Sequence, residues 1–460
     1  MSDIAVPGLL DRAIRRITMA WRDMATGVPD ESIATQMRTC LEGRGGEVSA
    51  RNRAAKLAQT YQVLDEAGRK DFLRTLASFD SDPDAVATAY AGVQAADDPA
   101  EVATAKAALR RALEPPRLRV LTQFTTIPDG WKFLVDLRGF LLHTRRHDKL
   151  LAALEADLRG LLAAWFDIGL LELQSIDWNS PAMLLEKLVG YEAVHEIRSW
   201  RDLKNRLDSD RRCYAFFHPR MPGEPLIFVE VALVKGLAGS VQRLLDEKAP
   251  LLDPREADTA IFYSISNCQD GLAGISFGNF LIKRVVEVLS AEFRSLKTFA
   301  TLSPIPGFRA WLDEKLAVDH SGLLSDEEAA SLCSAMPAPS GEQALAGILV
   351  KRGWWREVGL RKTAEPVLLR LCAHYLLVEA NDGGKRARDP VAHFHLSNGA
   401  RVERINALGD TSEKGAKEGA TLMVNYLYDP AKIEDWHENY AGEGKRNAST
   451  TVRRLARGLG

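Results

Sequence analysis

The sequence predicts an α+β protein in which an all-helical N-terminal bundle, residues 1–166, precedes a mixed α/β domain, residues 167–460. Up to about Trp165 the apolar residues recur at helical spacing, and no segment shows a convincing strand pattern. After Asp167, short β-branched and aromatic runs alternate with helical segments, which is typical of a sheet with crossover helices. A long helical segment, residues 323–377, interrupts this second part and predicts a helical insertion.

The N-terminal region predicts a set of amphipathic helices. The expected helices are residues 8–26, residues 49–79, one beginning at Ser81-Asp82-Pro83, residues 99–113 and residues 148–165. An acceptor side chain directly before a proline is a helix-start signal, since proline is tolerated at the first helical position. Nothing in this region indicates chemistry, so we expect the helices to pack as a bundle and to serve subunit contact.

The second region predicts six strands and three helical segments. The expected strands are residues 212–217, 226–234, 259–266, 299–303, 391–406 and 421–428. The expected helices begin at Ser180-Pro181, at Asn279 and at the capping box Ser325–Glu328. The order strand, glycine-bearing loop, helix, strand between residues 259 and 303 predicts a parallel pair of strands. We expect the basic tail, residues 451–460, to be mobile.

Composition excludes several classes of function. The chain has 460 residues and a net charge of -2, which argues against nucleic acid or an anionic membrane as partner. No apolar run reaches the ~20 residues of a membrane span. The first residues lack the order of a secretory signal, and the five cysteines are scattered without a CxxC pair, so we expect the cytoplasm and free thiols. The nine histidines form no HExxH, and we expect no metal.

The stretch TLSPIPGF places a single serine, Ser303, before a stiff turn. Proline restricts the residue before it to extended geometry, so Ser303 is predicted as the last residue of a strand. A hydroxyl held in this way suits catalysis. It is equally compatible with a simple strand terminator, and the local sequence leaves both interpretations open.

The stretch NCQDGLAGISFG joins a predicted strand to a predicted helix and contains three glycines. Backbone N–H groups at such a helix start suit a phosphate, and Lys283 and Arg284 one turn later could add positive charge. The stretch matches neither GxGxxG nor the GK[ST] of a phosphate-binding P-loop. A strand-to-helix turn without a bound phosphate therefore remains an alternative for the loop. Solvent-exposed surface residues remain the alternative for Lys283 and Arg284.

The stretch DPVAHFHLSNGA carries two histidines. Read as a strand, it places His393 and His395 on one face, with a turn at Asn398-Gly399. A histidine in such a position is a structural residue in many proteins. It also suits proton transfer, because histidine titrates near neutral pH.

Taken together, AIFYSIS, the glycine loop into FLIKRVV, TLSPIPGF, and DPVAHFHLSNGA occur in an order that resembles the malonyl-CoA decarboxylase family. Further matching stretches are RRCYAFFH, PGEPLIFVEVAL and LMVNYLY, and the resemblance runs from about Asp167 to Tyr428. It implies a catalytic domain similar to the GNAT acetyltransferases. It also implies a helical domain that assembles a tetramer, and conversion of malonyl-CoA to acetyl-CoA and carbon dioxide without metal or organic cofactor.

The resemblance implies site residues by position in the motifs. Ser303 of SPIPGF and His395 of FHL match the family's catalytic pair, whereas His393 is expected to support the pair indirectly or to be structural. Lys187 lies where the family has a lysine, and we expect an ordinary surface lysine there instead. The implied coenzyme A loop is Ala273, Gly274, Ile275, Ser276, Phe277, Gly278 and Asn279. Of the GNAT loop signature only the last glycine, Gly278, is retained, which weakens any expectation of acetyl transfer to an amine.

The expected mechanism is acid/base decarboxylation. Ser303 is expected to orient the carboxylate or thioester, and His395 to protonate the carbanion, although the two roles could be exchanged. A GNAT-type acetyltransferase is one alternative function. A non-catalytic acyl-CoA-binding or scaffold protein is another.

Overall fold

The computed structural model describes residues 21, 31–42, 46–275, 278–317, 322–381 and 384–457, with the side chains of residues 278–280 outside that description. The chain divides into two compact units. The first contains the described residues up to 172 together with 217–226 and 267–275. The second contains residues 173–216, 227–266 and the described residues from 278 onward. Two short segments from the later sequence therefore belong to the same unit as the N-terminal helices.

Within its described residues the first unit is built from helices. They are α1 (Ile33–Glu42), α2 (Glu47–Val63), α3 (Glu66–Ala77), α4 (Pro83–Ala95), α5 (Pro99–Leu113), α6 (Arg117–Gln123), α7 (Gly130–Thr144) and α8 (Lys149–Trp165). Asp82 caps α4 by accepting the N–H of Asp84, which confirms the helix start predicted there. The helix predicted over residues 8–26 lies outside the described residues except for Trp21, which is helical and buried.

The prediction of a single helix over residues 49–79 is wrong, because the helix is interrupted between α2 and α3. Asp65 lies at this break in extended geometry and accepts the N–H of Gly68, so it caps a new helix. A capping side chain satisfies N–H groups that a continuous helix would have bonded to its own backbone, and this stabilises the break.

The second unit contains a seven-stranded sheet in the order β1-β2-β3-β4-β5-β7-β6. The strands are β1 (Glu172–Ile176), β2 (Arg211–Phe217), β3 (Pro225–Val234), β4 (Thr259–Asn267), β5 (Thr298–Thr301), β6 (Arg401–Asn406) and β7 (Met423–Tyr428). Its helices are α9 (Ala182–Tyr191), α10 (Trp200–Arg206), α11 (Val241–Leu244), α12 (Gly278–Glu292), α13 (Phe308–Leu316), α14 (Asp326–Ala335), α15 (Gly341–Val350), α16 (Val358–Leu377), α17 (Pro390–Ser397), α18 (Glu413–Gly419), α19 (Ile433–Glu443) and α20 (Thr450–Ala456). Strand β1 and helices α10, α11, α13, α18 and α19 were not predicted.

The centre of the sheet confirms the predicted crossover. Strands β4 and β5 are parallel, in a register that runs from Thr259 opposite Thr298 to Phe262 opposite Thr301. Strand β7 is antiparallel to both β5 and β6. Beyond Thr301 the pairing with β7 continues as an isolated bridge between Ser303 and Val424. Ser303 therefore lies just past the carboxyl end of β5.

The predicted insertion is a group of three helices, α14 to α16. Its first helix begins with the predicted capping box, in which Ser325 accepts the N–H of Glu328 and the Glu328 carboxylate accepts the N–H of Ser325. The helical N-terminal region, the mixed sheet and this insertion together confirm the predicted fold class.

Two predictions near the C-terminus are wrong. Residues 390–397 form helix α17 and not a strand, so β6 is confined to Arg401–Asn406. The tail forms helix α20, which begins after a capping contact from Ser449 to the N–H of Val452. The remaining residues, 458–460, lie outside the described part of the chain.

Candidate active site

Ser303 and His395 meet in the second unit although 92 residues separate them in the sequence. Ser303 Oγ lies 3.0 Å from His395 Nε2. The two residues are only 6% and 2% exposed, so the contact is shielded from bulk water. The pair that the resemblance implied is therefore a direct hydrogen-bonded contact in this chain.

Backbone hydrogen bonds on both sides hold Ser303 in place. Its N–H donates to the Val424 carbonyl at 2.8 Å, and its carbonyl accepts the Val424 N–H at 2.9 Å. Pro304 then restricts the serine to extended geometry, as the sequence predicted. Strand β5 itself ends at Thr301, so Ser303 lies two residues beyond the strand and not at its last position.

Helix α17 holds His395, which corrects the prediction that this histidine lies on a strand. Asp389 caps the helix, because its Oδ1 accepts the N–H groups of Val391 and Ala392 at 3.0 and 2.9 Å. Pro390 follows at the first helical position, where a missing N–H costs nothing. Aspartate before proline is thus the same start signal that the sequence shows at Asp82-Pro83, and here it favours a helix over the strand pattern.

The same Asp389 joins the two parts of the pair. Its second oxygen, Oδ2, accepts the N–H of Gly307 at 3.2 Å, in the turn that follows Ser303. Gly307 lies so close to the Tyr375 side chain that a Cβ built on Gly307 would be 2.3 Å from Tyr375 Oη. One buried carboxylate therefore ties the SPIPG turn to the N-terminus of the helix that carries His395.

A chain of hydrogen bonds assigns the protons of the pair. Ser303 Oγ donates to Thr301 Oγ1 at 2.8 Å, so its single proton is used there and His395 Nε2 must donate to Ser303. His395 Nδ1 is then the acceptor, and it lies 2.8 Å from Tyr428 Oη. Tyr428 thus donates to His395, His395 to Ser303, and Ser303 to Thr301. The imidazole is in its Nε2–H form.

Burial keeps this imidazole neutral. Loss of solvent lowers the pKa of His395 to about 3, and it also raises the pKa of the Tyr428 phenol well above its ordinary value. The ring of Tyr426 stacks on the imidazole with centroids 4.5 Å apart. In the protein without substrate, the ring of His395 is therefore neutral near pH 7.

Thr301 and Asn425 support the pair from the sheet. Thr301 Oγ1 also accepts the backbone N–H of Tyr426 at 3.1 Å, and Asn425 Nδ2 donates to the Thr301 carbonyl at 2.7 Å. Asn425 is fully buried, and its amide oxygen accepts from Arg404 and Asn406. These bonds hold Thr301, which accepts the Ser303 proton, in a fixed position.

The other histidine of the motif has a different environment. His393 Nδ1 lies 2.8 Å from Tyr440 Oη, which also accepts the N–H of Ala387. Positions i and i+2 of a helix point in different directions, so His393 and His395 do not share a face as the strand prediction required. His393 has Tyr440 as its hydrogen-bond partner, and its structural role stays a prediction.

The glycine loop begins with a short 3-10 turn, Asp270–Leu272, and Gly274 adopts a positive φ of 75°. Ala273 and Gly274 are exposed, whereas Ser276 and Phe277 lie outside the described residues. Lys283 and Arg284 form ion pairs with Glu434 and Glu287 at 2.6 and 2.8 Å. Their charges are therefore partly neutralised by neighbouring carboxylates.

The second unit also contains a cavity of 630 Å³ with many charged side chains in its lining. Part of this lining also borders a narrow pocket that reaches Pro304 and Ile305, directly after Ser303. The residues common to both are Val194, His195, Asp410 and Lys414. Burial lowers the pKa of His195 to about 4, so its ring is neutral near pH 7.

Within the described residues, no group of three or more His, Cys, Asp or Glu side chains could hold a metal ion. The described cysteines are Cys40, Cys213, Cys268, Cys333 and Cys372, and none of them forms a disulfide bond. Among the same residues, no helix is both long and apolar enough to cross a membrane.

Three contributors to the site were not predicted. Thr301 could have been found, because positions i and i+2 of an extended chain share a face with Ser303. Asp389 also carried a local signal, the aspartate before proline. Tyr428 lies in the quoted stretch LMVNYLY, but no local signal connects a tyrosine of β7 with a histidine 33 residues earlier. Lys187 lies half-buried on α9.

Two family models together match most of the chain. The model "Malonyl-CoA decarboxylase C-terminal domain" matches residues 169–459, and "Malonyl-CoA decarboxylase N-terminal domain" matches residues 79–166. A protein of Anser anser anser named "Malonyl-CoA decarboxylase, mitochondrial" is 37% identical over 415 residues. The match covers 85% of this chain and 80% of that protein.

Solved structures give the same result. A crystal structure of malonyl-CoA decarboxylase from Rhodopseudomonas palustris superimposes with a TM-score of 0.82 at 40% identity. It covers 92% of this chain, and 98% of that chain is matched. The corresponding structure from Agrobacterium vitis has a TM-score of 0.83 at 41% identity, with 92% of this chain and 99% of that chain covered.

Proposed function

Because the chain belongs to the malonyl-CoA decarboxylase family, we propose that Ser303 and His395 are the residues at which it decarboxylates malonyl-CoA. The activity is that of a carboxy-lyase, which converts malonyl-CoA to acetyl-CoA and carbon dioxide. The observation that supports this pair is the buried 3.0 Å contact between Ser303 Oγ and His395 Nε2.

The reaction breaks the bond between the α-carbon and the carboxylate carbon. The electron pair moves onto the thioester carbonyl and forms an enolate, and a proton then adds to the α-carbon. The thioester carbonyl of the substrate is itself the electron sink, so the step balances without an oxidant or reductant. We therefore propose catalysis by side chains alone, with no metal or organic cofactor.

Ser303 has the position to orient the substrate. Its hydroxyl is held by a donor, His395, and an acceptor, Thr301, so a small carboxylate or carbonyl can take the place of Thr301 as acceptor. Holding the breaking bond parallel to the carbonyl π system lowers the entropic part of the barrier. Donors that are already in place also stabilise the enolate oxygen without reorganisation.

His395 has the position to protonate the carbanion. The free protein holds the imidazole neutral, but the carboxylate of bound malonyl-CoA adds a negative charge to the same buried space and raises the pKa of the ring by Coulombic attraction. The ring then takes up one proton from solvent at Nδ1 as the substrate binds, and the Tyr428 hydroxyl turns to accept it. The proton on Nε2 passes to the α-carbon after carbon dioxide leaves, which returns His395 to a neutral form.

The glycine loop is proposed as the coenzyme A site. Its described residues Ala273 and Gly274 are exposed, and the positive φ of Gly274 suits a backbone that turns its N–H groups toward an anion. Ser276 and Phe277 belong to the same predicted loop, but they lie outside the described residues.

A tetramer assembled through the N-terminal helices remains a proposal. Helices α4 and α5 pack on each other, and neither contains a buried residue, although α4 is rich in alanine and valine. Tyr90 and Leu113 are 53% and 51% exposed. Apolar surface of this kind favours contact with a second copy of the chain. Light scattering of the purified protein would measure the mass of the assembly.

A cytoplasmic location is likewise proposed from the sequence, while the name of the goose relative states that this relative is mitochondrial. Cell fractionation with an antibody to the chain would test it.

The decisive experiment follows acetyl-CoA and carbon dioxide formation from malonyl-CoA by purified protein in EDTA. We expect turnover by the wild type and at least ~100-fold loss in Ser303→Ala and His395→Asn. His393→Asn is the matched control, because it removes a histidine two residues away that bonds to Tyr440. A folded wild type without acetyl-CoA formation contradicts the function, and full activity in both variants contradicts the pair. Product formation that requires an added amine would indicate the acetyltransferase.

A further inference from the structure

We infer that Arg138, a buried arginine of the N-terminal helices, positions the turn that opens the predicted coenzyme A loop. Arg138 lies on α7, and the turn is Asp270–Leu272, both within the first compact unit. The inference rests on the proposed function of the loop. It assigns to the N-terminal helices a part in substrate binding that the sequence did not indicate.

The guanidinium of Arg138 connects a helix pair to the turn. Its Nη1 donates to the Gly271 carbonyl at 2.6 Å, and its Nε and Nη2 lie 3.0 and 2.9 Å from Glu155. Arg138 is 1% exposed, and Glu155 of α8 is 3% exposed. Arg145 also pairs with Glu155. The carboxylate therefore sets the direction of the guanidinium, which ends on one backbone carbonyl of the turn.

Backbone contact with α7 holds the same turn. A Cβ built on Gly271 would lie 1.7 Å from the Val135 carbonyl oxygen, so only glycine allows this approach. On the helix side, a Cβ on Gly139 would lie 3.5 Å from the Gly271 nitrogen. The turn thus rests directly on the surface of α7, with the arginine bond beside it.

The turn passes this constraint on to the exposed loop residues. Ala273 N–H donates to the Asp270 carbonyl at 3.0 Å, and Ile275 N–H donates to the Leu272 carbonyl at 3.0 Å. A loop that binds pyrophosphate through backbone N–H groups loses affinity when these groups must first be ordered. The buried, charge-assisted hydrogen bond from Arg138 to the Gly271 carbonyl keeps the base of the loop ordered before the ligand binds. Arg138 is accordingly a positioning residue.

The test compares two substrates in the full-length protein. Malonyl-CoA carries the pyrophosphate, whereas malonyl-pantetheine does not. In Arg138→Met we expect the KM for malonyl-CoA to rise about tenfold, because one charge-assisted hydrogen bond is lost. The kcat should stay within about twofold of the wild-type value. The KM for malonyl-pantetheine should not change. Gly271→Ala should show the same pattern, and Arg138→Lys, which keeps one donor, a smaller rise.

Arg117 provides the matched control. It is a second buried arginine of the N-terminal helices, and it donates to the Ala77 carbonyl at 2.9 Å and to Asp157 at 2.7 Å. Arg117→Met should therefore lower the thermal stability without changing either KM. Gly160→Ala on α8, where a Cβ meets open space, is the control for Gly271→Ala.

An equal rise in KM for both substrates, or the same rise in Arg117→Met, would overturn the inference. So would an unchanged KM in folded Arg138→Lys and Gly271→Ala. If the wild type does not turn over malonyl-CoA, the proposed function fails by itself. Calorimetric titration with coenzyme A and with pantetheine then decides the inference, which is overturned if the variants bind coenzyme A as tightly as the wild type.

Discussion

Tyr428 Oη lies 2.8 Å from His395 Nδ1, on the ring nitrogen opposite the one that faces Ser303. Because a buried phenol keeps its proton, Tyr428 is the donor in this contact and Nδ1 is the acceptor. The other ring nitrogen, Nε2, therefore carries the proton and donates it to Ser303 Oγ. Tyr428 selects which side of the imidazole can act as a donor.

Tyr428→Phe should lower kcat about tenfold, because loss of one hydrogen bond of ordinary strength frees the ring to adopt the other neutral form. The KM for malonyl-CoA should change little, since the phenol acts through its hydrogen bond to the imidazole. Nitrogen NMR of labelled histidine would show whether the Nε2–H form of His395 is lost. A variant with wild-type kcat and an unchanged nitrogen spectrum would contradict this role.

Binding of a carboxylate ligand should draw a proton into the site. S-(2-carboxyethyl)-coenzyme A has the carboxylate of malonyl-CoA but no carbonyl, so it cannot lose carbon dioxide. We expect the wild type to take up about one proton on binding it at pH 7.5, since the added charge raises the pKa of His395. Calorimetry in buffers of different ionisation enthalpy measures this uptake. S-propyl-coenzyme A and the His395→Asn variant should show none, and equal uptake in that variant would reject the proposed proton carrier.

The stability of the protein should fall on acidification partly through His395. Burial lowers its pKa in the folded protein to about 3, whereas in the unfolded chain it has the ordinary value of about 6.5. Between these values the unfolded chain binds a proton that the folded protein does not, so the free energy of unfolding decreases as pH falls. Urea unfolding at pH 7, 6, 5 and 4.5 should therefore show a shallower decrease in His395→Asn. Parallel curves for variant and wild type would contradict the low pKa.

Asp389→Ala should reduce both stability and turnover. It leaves the N–H groups of Gly307, Val391 and Ala392 without their acceptor, at a cost of about 2–4 kcal/mol, and it releases the SPIPG turn from the helix that carries His395. We expect kcat to fall at least tenfold, roughly the effect of misplaced reacting groups. Urea unfolding and steady-state kinetics measure the two effects.

Asp82→Ala is the control for this prediction, because it removes the same kind of cap from a helix whose residues are not buried. It should cost about 1 kcal/mol and leave kcat unchanged. A loss of turnover in this control, or wild-type turnover in a folded Asp389→Ala protein, would show that the link between turn and helix does not matter for catalysis.

The local sequence determined most of the elements. Helix starts at Asp82, Ser325 and Ser180-Pro181, the glycine turn and the parallel pair around β4 and β5 follow from spacing, caps and chain order, all of which act within a few residues. The two positions of the pair came from the resemblance in motifs, while the local patterns around Ser303 and His395 left structural alternatives open.

The tertiary structure decided how those residues act. Alternation in VAHFHL favoured a strand, although Asp389 before Pro390 is a local helix start and caps α17 at Val391 and Ala392. Only in the folded chain does the same carboxylate also accept the N–H of Gly307 and so join the helix to the SPIPG turn. The contact of Tyr428 with His395, and the burial that keeps the ring neutral, likewise depend on elements distant in sequence. Hydrogen-bond partners and desolvation are properties of packing, and no window of local sequence contains them.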